Sequence, residues 1–212
     1  MTTENLPARP EITNIAAEAQ SGATFEKMIK FNKGVYLSDG QEVPLGTRVI
    51  CHCVGWAKEW IKFQGGLFIE RKIYRIARGE HAPDRDTLDA KDEKFWDKGM
   101  NNLPKDPWVF RYLLPMQRID SDDPMIFVTP SFGCRRAVDD LCSTYARRAM
   151  RDPKCGQPIV RLEKVDMPTK NFGNVPRPQF TVVGWDDGTQ PVEVFEDMDK
   201  MRGADFDDEI PF

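Results

Sequence analysis

Between Arg48 and Phe63 the chain alternates in character with a period of two, and this alternation constrains the fold more than any other stretch. Arg48, Ile50, His52, Val54, Trp56, Lys58, Trp60 and Lys62 fall on one side, and Val49, Cys51, Cys53, Gly55, Ala57, Glu59, Ile61 and Phe63 on the other. The second set is mainly small and apolar, which suits the interior of a barrel. β-Branched and aromatic residues over Thr47 to Phe63, followed by Gly65 and Gly66, predict one long strand that turns into a second, Leu67 to Ala77.

Further strands are expected at Phe25 to Leu37 (broken near Asn32-Lys33-Gly34), Trp108 to Leu114, Met125 to Thr129, Ile159 to Val165 and Phe180 to Trp185, the last two across a Pro-rich loop. Cys134, Val138, Leu141, Cys142, Tyr145 and Ala149 recur at helical spacing. Ser131 is placed to cap that helix, Arg147, Arg148 and Arg151 suit its C-terminal end, and Pro153 stops it. Glu80 to Lys105 is hydrophilic, with a short helical pattern at Leu88, Phe95 and Trp96, and reads as an inserted excursion. The expected fold is mainly β: a small closed or half-closed barrel of OB type with a long β-hairpin, one main α-helix and a disordered acidic C-terminal tail. Residues 1–23 read as a flexible N-terminal arm, 24–185 as the barrel domain with 80–105 inserted, and 186–212 as the tail.

The longest uncharged apolar stretches, such as Val49 to Ala57, fall far short of the roughly 18 to 20 residues of a spanning helix, so no membrane partner is expected. The start of the chain lacks the basic and apolar regions of a secretion signal, which points to the cytoplasm. Five cysteines in such a context read as reduced thiols. The net charge of −4 hides a division: residues 193–212 carry eight acids against two bases, a net of −6, whereas residues 25–180 carry 27 bases against 21 acids, a net of +6. A basic body suggests a polyanionic partner, and an acidic tail suggests a basic partner or the body itself.

A single-strand binder needs cations for phosphates and aromatic faces for bases, interleaved on one face of a sheet. Trp56, Lys58, Trp60 and Lys62 supply that alternation on the first hairpin strand, and Arg71, Lys72, Tyr74 and Arg75 enrich the returning strand. One of Arg71 and Lys72 must share the Trp56 side, and hairpin register decides which. The competing reading has both tryptophans covering core, with lysine stems beside them. Arg135 and Arg136, at the first turn of the helix, suit a phosphate or, with Asp139 and Asp140 nearby, ordinary solvated charge.

The last eight residues, Asp205-Phe206-Asp207-Asp208-Glu209-Ile210-Pro211-Phe212, combine acids with apolar positions that a merely solubilising tail does not require. This run resembles the acidic tip that ends bacterial single-stranded DNA-binding proteins, and the chain as a whole is similar to phage replication proteins that join a divergent body to such a tip. The resemblance implies that Phe212 enters an apolar pocket of a replication, recombination or repair enzyme, with its carboxylate held by a basic residue and the upstream acids on a basic ridge. The expected protein coats single-stranded DNA during phage replication or recombination, in the host cytosol, without enzymatic activity; self-association into a homo-oligomer is left open. A recombination mediator or adaptor that binds the host's tip-recognising enzymes but little DNA itself is the first alternative. A metal-dependent nuclease using Asp84, Asp86, Asp89, Asp92, Glu93 and Asp97 is the second, although the interspersed Arg85, Lys91, Lys94 and Lys98 favour a solvated face. Cys51, Cys53, Cys134 and Cys142 match no zinc template, and the sequence calls for no cofactor.

Overall fold

A computed structural model describes residues 27–99, 102–121, 123–170 and 173–186. The expected N-terminal arm and acidic tail, including Asp205 to Phe212, lie outside the described residues. In chain order the strands are β1 (Lys27–Asn32), β2 (Val35–Ser38), β3 (Gln41–Val43), β4 (Arg48–Cys51), β5 (Ala57–Gln64), β6 (Leu67–Arg75), β7 (Asp97–Lys98), β8 (Pro104–Lys105), β9 (Trp108–Arg118), β10 (Pro124–Thr129), β11 (Gln157–Thr169) and β12 (Gly173–Asp186); helix α1 (Phe132–Arg151) follows β10.

The long strand expected over Thr47 to Phe63 is two strands, β4 and β5, separated by a 3₁₀ turn at Cys53–Gly55. Opposite the break stands Pro115 of β9, whose carbonyl accepts from His52 N at 2.9 Å. In an antiparallel hydrogen-bonded pair the partner returns an N–H, and proline has none, so the ladder lapses there. Gln157 Oε1 then takes the Cys53 N–H at 2.9 Å and holds the turn. One edge of β9 consequently carries β5 along Trp108 to Leu113 and β4 along Met116 to Arg118, while its other edge carries β10. β4 leads on to β11 and β12, β5 to β6, and β10 to β1, β2 and β3.

The sheet curls into a half-barrel, as the alternation led one to expect. Tyr36 Oη of β2 donates to Glu163 O of β11 at 2.8 Å, and Gly46 N to Leu162 O at 2.8 Å, so the two ends of the curled sheet are tied across the gap. The concave side holds the main core, where Tyr36, Met116, Phe127 and Leu162 are fully buried. Helix α1 covers it with Cys134, Val138, Leu141 and Cys142. The helix begins where expected, with Ser131 Oγ accepting from Cys134 N at 3.4 Å. Gly133 permits the close approach: a Cβ there would lie 3.1 Å from Arg177 Cβ of β12.

The Pro-rich loop expected before Phe180 is instead the end of the β11–β12 hairpin, with Lys164 opposite Pro178 and Asp166 opposite Pro176. β12 is an edge strand among the described residues, the position in a sheet that tolerates missing N–H groups. At the β5–β6 turn, Gly65 and Gly66 have φ of +59° and +75°, the left-handed pair that a two-residue hairpin turn demands. The excursion at 80–105 is built from short 3₁₀ turns, at Arg85–Thr87 and Glu93–Phe95, with the small β7–β8 ladder. Among the described residues no helix is long and apolar enough to cross a membrane.

Glu59 of β5 is completely buried, and its carboxylate is shared by two arginines from the flanking strands. Arg71 Nε of β6 lies 2.6 Å from Oε2, and Arg111 Nη2 of β9 lies 2.7 Å from Oε1. Breaking a buried ion pair by removing one member costs about 3–5 kcal/mol. Glu59→Ala is therefore expected to lower stability by about that amount, read as the shift of a urea unfolding curve, and a shift under about 1 kcal/mol would contradict the assignment.

Candidate functional site

Residues directly opposite one another in a sheet share a face, and the ladders on either side of β5 assemble three rows. Lys58 stands between Tyr74 and Tyr112, Trp60 between Lys72 and Phe110, and Lys62 between Glu70 and Trp108. This resolves the hairpin register: Lys72 joins the Trp60 side, and Arg71, opposite Ile61, belongs to the other face with Glu59. Arg75 pairs with Ala57 and lies on that other face too. The expected site therefore divides, with Trp56, Lys58, Trp60, Lys62, Lys72 and Tyr74 brought together, and Arg71 and Arg75 on the reverse side.

The shared face has two ends. At one end the excursion lies against it. Trp60 and Trp108 are 8% and 3% exposed and pack with Leu88 in a second small core. Trp60 Nε1 donates to Pro83 O at 2.9 Å, and Trp108 Nε1 to Asp89 Oδ1 at 2.9 Å. Trp60 is thus a core residue, as the competing reading of the alternation had it, and a base does not reach its ring in this arrangement. Lys62 Nζ contacts Asp89 Oδ2 at 2.6 Å and lies 5.6 Å from the Trp108 ring centre. Lys62 holds the Asp89 carboxyl below the usual carboxylate range by hydrogen bonding, and Trp108 adds to the effect.

The other end lies between the strand break and α1. The half-buried ring of Trp56 meets Tyr112 at 5.7 Å between centres, and Tyr112 meets Phe110 at 5.7 Å. Two cations from different elements lie over this floor. Lys58 Nζ is 5.3 Å from the Trp56 ring centre and 5.0 Å from that of Tyr112. The Arg135 guanidinium of α1 is 5.3 Å from Phe110 and 5.9 Å from Tyr112. Such contacts orient a cation, at about 0.5–1 kcal/mol each where exposed, without neutralising it. Among the described residues no acceptor pairs with the buried Trp56 Nε1 or Arg135 Nε. Asp139, one turn along α1 from Arg135, is the acid beside this end; burial raises its carboxyl, while Lys58 and a hydrogen bond from Tyr112 pull it back. The arrangement sets two cations over an aromatic floor, which fits an anionic ligand that also carries flat, apolar faces.

Sequence reading passed over three aromatic contributors. Trp108, Phe110 and Tyr112 alternate at period two, as Trp56 to Lys62 do, and that pattern was available as a signal. Arg135 reads in sequence as a phosphate holder or an ordinary solvated helix charge, and only the packing of α1 over β9 brings it to the rings. Cys51, Cys53, Cys134 and Cys142, which match no zinc template in sequence, are buried among apolar residues of the main core. Comparison of the chain with known families, curated proteins and solved structures gives no match.

Removing a buried Trp side chain costs about 3–5 kcal/mol. Trp60→Ala is expected to lose stability on that scale, and Trp56→Ala, at the half-exposed end, clearly less. Urea unfolding of the two variants compares them, and equal losses would contradict the division of the face.

Proposed function

We propose that the protein binds single-stranded nucleic acid through the end of the sheet formed by Trp56, Lys58, Phe110, Tyr112 and Arg135. The observation that carries this reading is the convergence of Lys58 and Arg135, from a strand and a helix, over one aromatic floor. Phosphates go to the cations and bases to the half-buried rings of Trp56 and Phe110, with the buried Tyr112 supporting both, a pairing that tolerates any sequence because every base has a π-face. The positive end of the α1 dipole lies one turn from Arg135 and adds to the attraction. The protein acts as a stoichiometric coat on single strands, without turnover, and the OB-type curl of its sheet suits that role.

The resemblance of Asp205 to Phe212 to the acidic tip of bacterial single-stranded DNA-binding proteins adds a second partner class, replication, recombination or repair enzymes of a bacterial cytosol. Phage replication is the setting in which a divergent body with such a tip fits best. An acidic segment with apolar anchors binds weakly and exchangeably, and salt screens its contacts.

Titration with oligo-dT, followed by tryptophan fluorescence, tests the reading. Trp56→Ala is expected to weaken binding by about 1–3 kcal/mol. Lys58→Ala and Arg135→Ala are each expected to lower the slope of log K against log salt by about 0.7 for one lost phosphate contact. An unchanged slope in both removes the cations from the interface, and absence of binding by the intact chain leaves the adaptor reading. For the tip, deletion of Phe212 is expected to leave folding and oligo-dT affinity intact while abolishing retention of host replication or repair enzymes; equal retention by both forms would sink the recruitment idea.

A further inference from the structure

At the covered end of the same face an internal carboxylate occupies the position of an anionic ligand. Asp89 Oδ2 lies 2.6 Å from Lys62 Nζ, and Oδ1 accepts from Trp108 Nε1 at 2.9 Å. Lys72 Nζ sits 4.9 Å from the centre of the same Trp108 ring and 3.2 Å from Glu70 Oε1, an exposed pair that a phosphate would share. The Lys62 side chain is 16% exposed while Asp89 is 63% exposed, so the carboxylate faces solvent with the cation beneath it. A phosphodiester presents the same features as this carboxylate, a single negative charge and two free acceptor oxygens.

The carboxylate is also not what anchors its loop. Arg85 donates to Asp89 O at 3.1 Å and Ala90 O at 3.0 Å, and it pairs with Asp106 at 2.7 Å. Leu88 is buried beside Trp60, whose Nε1 holds Pro83 O. Backbone ties and apolar burial thus hold the excursion in place, so turning the Asp89 side chain away would break only its contacts with Lys62 and Trp108 and leave these other ties intact. Lys62 lies four residues beyond Lys58 on the same side of β5, about 13 Å along the strand, in line with the uncovered end.

We propose that Lys62, Lys72 and Trp108 Nε1 form a second phosphate subsite for the nucleic-acid backbone, filled in the free protein by the Asp89 carboxylate, which an incoming phosphate displaces. The proposal rests on the single-strand reading above and adds an internal competitor to it.

The test uses the full chain and oligo-dT in a salt series. Asp89→Asn keeps the shape and an acceptor for Trp108 but removes the charge. Its affinity at low salt is expected to rise about two- to fivefold, the range set by loss of one exposed ion pair. Asp86→Asn, a neighbouring acid of the same excursion, gives the effect of net charge alone and is expected to change affinity less. The gain is expected to vanish when Lys62→Ala is added, so that the double variant binds as Lys62→Ala does. An unchanged or weaker affinity for a normally melting Asp89→Asn protein overturns the subsite, as does a gain that persists without Lys62. If Asp89→Asn melts early, Lys72→Ala decides: a slope lowered by about 0.7 supports the subsite, and an unchanged slope overturns it. Failure of the underlying reading looks different, since the intact chain then binds no oligo-dT and Lys58→Ala changes nothing.

Discussion

The concave face depends on the interruption of one strand at residues 52–56. Because Pro115 has no N–H to return to His52, β4 and β5 part company on the same edge of β9. β4 continues into the half-barrel through β11, and β5 carries the hairpin away with β6. The break also sets the position of Trp56, whose carbonyl accepts from Ile76 N at 3.3 Å at the far end of the returning strand. Had the strand run through, β6 and β11 would compete for one edge, and neither the barrel nor the hairpin would have its present partner.

The register that follows from this break sorts the charges by face. Arg71 and Arg111 go to the reverse side, where the buried Glu59 engages both, whereas Lys58, Lys62 and Lys72 go to the aromatic side. The net charge of the body overstates what a polyanion can meet, because several bases are held internally: Arg71 and Arg111 by Glu59, Arg85 by Asp106, Lys62 by Asp89. Placement of the cations therefore matters more than their sum. Lys58 and Arg135 lie over rings with Asp139 beside them, whereas Lys72, over Trp108, is paired with Glu70 at 3.2 Å.

The mainly β architecture, the hairpin and the helix with its Ser131 cap were legible in the sequence, because period two, period 3.6 and a capping residue are local signals. The break at 52–56 was not, since its cause stands on a different strand some sixty residues away and the intervening residues keep their alternation. Register was likewise hidden: with two glycines at the turn, nothing near Arg71 and Lys72 says which one faces Trp60. The β12 extension through Pro176 and Pro178 escaped because proline reads as a loop signal unless the strand is known to be an edge. At the site, Trp56 and Lys58 were legible as a pair, but the roles of Trp60 and Trp56 parted only through the excursion, whose polar composition conceals a buried residue, Leu88, that covers Trp60.

A lysine held by a carboxylate and a lysine held by a ring are in different states of readiness. The ring quadrupole orients Lys58, and the nearby Asp139 acts on it only through space, so an arriving phosphate meets a positioned ammonium that no carboxylate holds in direct contact. Lys62 must exchange one anion for another, and the net gain is the difference between two similar contacts. On the single-strand reading, first contact then belongs to the Trp56–Lys58–Arg135 end, where Asp139 is a neighbour of the cations and not their ion-pair partner, and extension toward Lys62 follows only where a second phosphate is already held nearby. A mononucleotide or a stray anion lacks that tethered second phosphate and gains little at the guarded end. A covered lysine thereby favours continuous strands over short anions, although the single charges on the two ligands are the same.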